Sequence, residues 1–478
     1  MNSNIYKYIK VGNMEKEELK KLNEKLTYKQ KNAWFAKNTN YEEIMNFSKE
    51  YIEFLNNSKT EREATIEIAK KLKENGFLSI SEVEKLHRGD KVYYINHDKS
   101  IYAAKIGDNI LDGMNIIGSH IDSPRLDLKP TPLFEKDGMA YLKTHYYGGI
   151  KKYQWTTIPL AIKGLITKSN GENILISIGE KEDEPIFTVS DLLPHLAREQ
   201  MNKRGNNIVE GENLNVTVGA EPLGDIDNAI KLNILKLLNE KYDITEENLM
   251  TCELTFVPAF SAKDLGLDSS MVAAYGQDDK SCSYASLKAL LESKSNKTVV
   301  AIFSDKEEIG SMGNTGMESE IFDMFIGEIL EKLEFKNINT QRVVYANSNM
   351  ISADVDGAYD SNYPTAFEKT NNSILSNGVA ICKYTGGGGK YSGSDANAEY
   401  LAKIVSIFKK NDVVYQITEL GKIDLGGGGT IAYILANKGI NVVDCGIAVQ
   451  SMHSPYEVAS KADIMQMYKG YLAFLNEA

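Results

Sequence analysis

Several short apolar runs in this 478-residue chain stop abruptly at small and ionisable residues. In 114-MNIIGSHIDSPRLDLKP-130 the run ends at His120 and Asp122, and 298-TVVAIFS-304 leads into Asp305, Glu307 and Glu308. Likewise 342-RVVYANS-348 precedes Asp354, and 441-NVVDCGIAV-449 precedes His453. An apolar strand that delivers polar side chains at its carboxyl end belongs to an open α/β sheet, where loops beyond the strands form the ligand site. Helical periodicity lies between the runs, at 280–293, 317–334, 395–410 and 430–439, with a further strand at 412–418. This alternation predicts an α/β fold, a mixed central sheet flanked by helices on both faces.

Upstream, 61-EREATIEIAKKLKENGF-77 predicts a helix with Ala64, Ile66, Ile68, Ala69 and Leu72 on one face and Gly76 as its stop. A short strand follows at 101–107. From Leu133 to Pro258 the texture turns β-rich, with strands expected at 139–149, 157–167 and 173–179 and a helical segment at 190–205. At ~150 residues per domain, a chain this long accommodates an inserted β-rich lid or oligomerisation domain at 133–258. It would divide the α/β catalytic domain into parts 1–132 and 259–478.

Lysine plus arginine number 54 and aspartate plus glutamate 66, a net charge of −12, which argues against a general nucleic-acid binder. The four cysteines, Cys252, Cys282, Cys382 and Cys445, lie far apart and form no CxxC pair, which fits a reducing compartment rather than a disulfide or zinc-thiolate scaffold. The first 30 residues hold no signal-peptide core and no long apolar run occurs, so the expectation is a cytoplasmic protein with neither a membrane nor a nucleic acid as partner.

Only six histidines are present, and His120 and His453 fall where strands should end. Carboxylates gather at matching places: Asp278 and Asp279 ahead of a helix, Glu307 and Glu308 past a strand, and Asp354 in a following loop. Helix capping and solvated faces explain any one of these. Together they form the ligand set of a two-metal hydrolytic site, which needs a shared carboxylate, terminal imidazole and acid ligands, and a free carboxylate beside the attacking water. Neighbouring side chains in an extended segment diverge, so one of Glu307 and Glu308 can bind metal while the other faces substrate. Asp122, two residues beyond His120, can receive that ligand's ring N–H.

The segments 118-GSHIDSPRLDLKP-130, 146-YYGGI-150, 192-LLPHLAR-198, 277-QDDKSCS-283, 304-SDKEEIGSMG-313, 352-SAD-354, 427-GGGTIA-432 and 451-SMHS-454 resemble, in order, the aspartyl aminopeptidase and vacuolar aminopeptidase I family of dinuclear-zinc exopeptidases. The resemblance implies an aminopeptidase acting on peptides with free N-termini. It implies that Asp278 bridges two divalent ions, with His120 and Asp354 on one and Glu308 and His453 on the other, and that Glu307 is the general base. Zinc is the expected metal, and cobalt and manganese suit the same ligands. His195 would reach a neighbouring subunit's active site and help stabilise the oxyanion, within a homo-oligomer that is a dodecamer in the family. Family members prefer N-terminal Asp or Glu, and Lys383, with Lys390 nearby, is the residue implied to pair with that acid. The Gly-rich stretch between these lysines departs from the family pattern, which leaves neutral or broad specificity open. A metal-dependent carboxypeptidase or deacylase and a non-catalytic scaffold or cargo protein are the competing functions. The runs 386-GGGG-389 and 426-GGGG-429 lack the GxxxxGK[ST] of a phosphate loop and suit close backbone approach instead.

Overall fold

The structure is a computed structural model and describes residues 16–337 and 339–478. Its centre is a nine-stranded sheet in the order Leu78–Ser79, Lys91–Asn96, Ser100–Lys105, Thr298–Ser304, Met114–His120, Asn349–Ser352, Asn441–Gly446, Val379–Cys382 and Tyr415–Thr418. Four adjacent strands, Thr298–Ser304, Met114–His120, Asn349–Ser352 and Asn441–Gly446, run parallel, so their carboxyl ends share one edge.

These strands are apolar on both faces because both are covered. Along Thr298–Ser304, Val299, Ala301 and Phe303 enter one core with helices Tyr41–Asn57, Gln277–Glu292 and Lys461–Glu477. Val300 and Ile302 enter the other, against helix Ile321–Lys332. Helices Tyr41–Asn57 and Glu61–Glu74 each begin with a capping box, Asn40 with Glu43 and Thr60 with Glu63, which satisfies N–H groups that the first turn leaves open.

Between Arg125 and Pro258 the chain builds a seven-stranded antiparallel sheet with its own core around Trp155, Leu160 and Phe256. A third sheet of five short strands includes Met271–Ala274, Ala448–Gln450 and Glu457–Ser460.

Several local expectations need correction. Residues 342–348 are not a strand: Thr340–Ala346 is a helix burying Val344 and Tyr345, and the strand follows at Asn349–Ser352. Ile66 does not join its helix's buried face and is 51% exposed, because Ala64, Ile68 and Leu72 already fill that stripe. In place of one helix, the segment 190–205 contains the turn Pro194–Leu196 and the one-turn helix Arg198–Met201, and a further turn, Gly205–Asn207, begins at its end. The apolar run 441–449 breaks at Ile447, passing from the central sheet to the small one.

Candidate active site

The carboxyl edge of the four parallel strands collects the expected residues. His120 ends strand Met114–His120. Strand Thr298–Ser304 runs into a turn at Lys306, whose φ of 66° brings Glu307 and Glu308 back over the edge. Asp354 follows strand Asn349–Ser352, and Asp278 stands at the non-helical start of helix Gln277–Glu292.

Asp278 lies between the two imidazoles. Its Oδ1 is 3.2 Å from His120 Nε2 and its Oδ2 3.2 Å from His453 Nε2. On the first side, His120 Nε2 is 3.9 Å from Asp354 Oδ1 and 3.8 Å from Glu307 Oε2. On the second, His453 Nε2 is 3.4 Å from Glu308 Oε2. Ligand-type atoms of His120, Asp278 and Glu308, of His120, Glu307 and Asp354, and of Asp278, Asp279 and Asp354 fall within 4.8 Å of one another in each set.

This donor set fits divalent cations. Asp278 Oδ1, Asp279 Oδ1 and Glu308 Oε1 are buried and accept no hydrogen bond, an arrangement that is costly unless a cation meets them. His120 Nδ1 lies 3.1 Å from the Asp122 carbonyl and His453 Nδ1 2.8 Å from that of Gly149. A carbonyl only accepts, so each Nδ1 carries the proton and each Nε2 is turned toward the carboxylates.

Burial drives the electrostatics. It pushes the Glu307 carboxyl up to about 7, with Asp122 and Asp278 adding to the rise and His120 and His453 opposing it. Burial and nearby carboxylates also raise Glu308 and Asp354. Asp278 is buried too, but the two imidazoles beside it outweigh that burial and hold it below the ordinary carboxylate value. Burial would lower His453, yet Asp278 and Glu308 outweigh it and raise the ring to about 10.

Two carboxylates set the backbone geometry around the cluster. Asp122 accepts the backbone N–H of Glu307 and of Glu308, each at 3.2 Å, and the Tyr147 hydroxyl at 2.7 Å. Its carboxylate also stands 3.3 Å from His120 Nδ1, although the ring's hydrogen bond goes to the Asp122 carbonyl. Glu457 accepts the N–H of Asp278 at 3.1 Å and of His453 at 2.8 Å. The second bond helps to hold His453 in the left-handed region, at φ 63°. Beneath them, buried Lys280 donates to Ser123 Oγ at 2.5 Å, and Ser123 donates to the Asp278 carbonyl. Sequence reasoning did not single out Glu457, Lys280 or Ser123.

Two expected residues lie apart from the cluster. His195 is exposed on the turn Pro194–Leu196 and, among the described residues, shares no hydrogen bond or ion pair with it. Lys383 is exposed just past strand Val379–Cys382 and is not among the residues lining the cleft beside the cluster.

That cleft encloses about 340 Å³ and is lined by Asp278, Glu307, Glu308, Asp354 and His453. Asp356, Ala380, Cys382, Leu420, Asp444 and Met452 also line it. Gly428 and Gly429 also line it, and the two glycine runs pack on each other. Gly386 N donates to Gly428 O at 2.8 Å, and a Cβ on Gly427, at φ 143°, would fall 2.5 Å from the Gly386 carbonyl. A larger cavity of about 610 Å³, beside Phe134 and Tyr141, contains none of the cluster.

The profile of the aminopeptidase I zinc metalloprotease (M18) family matches residues 54–475. The chain belongs to the M18 family. The crystal structure of the M18 aminopeptidase of Thermotoga maritima is 43% identical, with a TM-score of 0.92 over 95% of this chain and 100% of that one. The aminopeptidase I of Clostridium acetobutylicum is 45% identical, with a TM-score of 0.88 over 95% and 100%. At 22% identity, the S. cerevisiae mApe1 dodecamer shares the fold, with a TM-score of 0.71 over 89% and 95%. This M18 protein is therefore an aminopeptidase of a zinc metallopeptidase family, a hydrolase acting on peptides.

Proposed function

We propose that this M18 aminopeptidase would hold two divalent cations around Asp278, with His120 and Asp354 on one side and Glu308 and His453 on the other. The observation that carries the reading is the position of Asp278, one oxygen toward each imidazole, amid buried carboxylate oxygens that lack any hydrogen bond. Bound there, the ions would supply Lewis acidity to a scissile carbonyl and to the attacking water. Zinc is the metal of the family, and cobalt or manganese suit the same donors.

Glu307 is the general base. Its Oε2 lies 3.8 Å from His120 Nε2, and it lines the cleft where a peptide would lie. It takes a proton from the attacking water and returns it to the departing amine. Asp122 positions that carboxylate by holding the N–H groups of Glu307 and Glu308. The carboxylates lining the cleft also attract the substrate's free ammonium, which selects N-termini.

An acidic residue preference finds little support here: no Lys or Arg lines the cleft among the described residues, and Lys383 stands outside it. A homo-oligomer is supported by the surroundings of His195. Leu192, Leu193, Leu196 and Met201 are 46%, 49%, 66% and 68% exposed, an apolar patch suited to burial against a second copy. The unit at 133–258 would then serve assembly and bring His195 to a neighbour's cleft, in a dodecamer like that of mApe1. No described helix is long and apolar enough to cross a membrane, and a cytoplasmic site of action is proposed.

The test is hydrolysis of aminoacyl p-nitroanilides and their N-acetylated forms before and after chelation, with Zn²⁺, Co²⁺ or Mn²⁺ restored. Metal-restored cleavage of free substrates alone is expected; cleavage of acetylated ones, or indifference to chelator, overturns the reading. Glu307→Gln should keep the metal content and lower kcat by at least about 100-fold. Turnover close to wild type would remove Glu307 from the base role.

A further inference from the structure

Two further acids line the cleft, Asp356 and Asp444. Asp356 opens the short strand Asp356–Gly357, and Asp444 lies in strand Asn441–Gly446, directly across from Cys382 in the antiparallel pairing. Both carboxylates line the cavity that holds the catalytic cluster, and they are 5% and 3% exposed. Thr418 donates to Asp356 Oδ2 at 2.8 Å and Thr430 to Asp444 Oδ1 at 2.6 Å, so hydroxyls orient both. Among the described residues, no Lys, Arg or His forms an ion pair with either.

Buried carboxylates without a counter-charge are costly, and folded proteins nearly always pair them. Nothing in the packing forces acids here, since Ala380, Cys382 and Leu420 line the same cleft without charge. The same cavity is lined by Asp278, Glu307, Glu308, Asp354 and His453, so a peptide that reaches the cluster enters the space these two acids line. A lining that combines apolar side chains such as Leu420 and Met452 with two buried carboxylates complements a side chain with a methylene stem and a terminal cation.

We propose that the cleft receives the side chain of the substrate's N-terminal residue and selects a basic one, Lys or Arg, whose charge pairs with Asp356 and Asp444. The inference rests on the reading of this cleft as the substrate site. The two residues touch the side chain and take no part in bond breaking; they set specificity. Leu420 and Met452 would lie along the stem, and an N-terminal Asp or Glu would meet like charge.

The test compares kcat/KM for p-nitroanilides of Lys, Arg, norleucine, Leu, Asp and Glu on the metal-loaded full chain. Norleucine matches the lysine stem without its ammonium, so the Lys to norleucine ratio isolates the charge. A ratio of at least about ten is expected in the wild type, and it should fall toward one in Asp444→Asn and Asp356→Asn. The wild-type ratio needs no variant, so misfolding of either substitution leaves the proposal falsifiable. Norleucine or Leu cleaved as well as Lys, or Asp and Glu preferred, overturns the basic pocket while the aminopeptidase reading stands. A high ratio that persists in both variants removes Asp356 and Asp444 from the role. Failure to cleave any free substrate overturns the aminopeptidase reading and this one with it.

Discussion

Glu457 accepts the backbone N–H of Asp278 with one oxygen and that of His453 with the other, so a single buried carboxylate sets the spacing of two candidate ligands. Burial pushes it up to about 8, and the two N–H donors oppose that rise. Glu457→Gln preserves the volume but turns an amide N–H₂ toward one of the donors. Metal affinity or kcat/KM should fall about 10–100-fold without loss of the fold, measured by chelator competition and by thermal melting. Unchanged affinity and rate would show that the ligands hold their positions without it. The sequence offered no local sign of this residue. Its strand is four residues long, and topology alone brings it beside Asp278. Asp122 was legible because it stands two residues from His120, although its hold on the Glu307 and Glu308 backbone was not.

The strands of the central sheet behave as two-sided elements. Ile302 is fully buried, whereas Ile66 on helix Glu61–Glu74 is half-exposed. Ile302→Ala should lower unfolding stability by about 2–5 kcal/mol and Ile66→Ala by no more than about 0.5 kcal/mol, compared in urea titrations. Helix Lys461–Glu477 is tied to its neighbouring loop by Asp463, which accepts the N–H groups of Ser376 and Gly378 at 2.6 and 2.7 Å. Burial raises this carboxyl from 3.8 to about 8, against those two donors. Between these values the folded protein keeps a proton that the unfolded chain has released, so stability falls as pH rises through the window. Asp463→Asn should flatten that slope; an identical pH profile in the variant would show that Asp463 is ionised when folded. The helix Thr340–Ala346 was misread as a strand because Val-Val-Tyr favours a pleated surface, and so short a run carries no decisive period. Burial decided it: Val344 and Tyr345 are covered while Val343 is 48% exposed.

At the scale of the whole molecule, the exposed Leu192, Leu193, Leu196 and Met201 leave an apolar surface around His195. Leu196→Asp should shift the protein to smaller species in light scattering and lower turnover together; full activity in a dissociated protein would separate assembly from catalysis. The α/β class and the strand-end acids and imidazoles were readable in one dimension, because strands buried on both faces are apolar throughout and must stop where a polar loop begins. Pairing across long separations was not. Strand order sets His453 3.2 Å from Asp278, although 175 positions separate them in the chain, and the register of Cys382 against Asp444 turns an acid toward the cleft. Local residue patterns carry the period of each element, whereas side-chain convergence depends on which distant elements bury one another's surfaces.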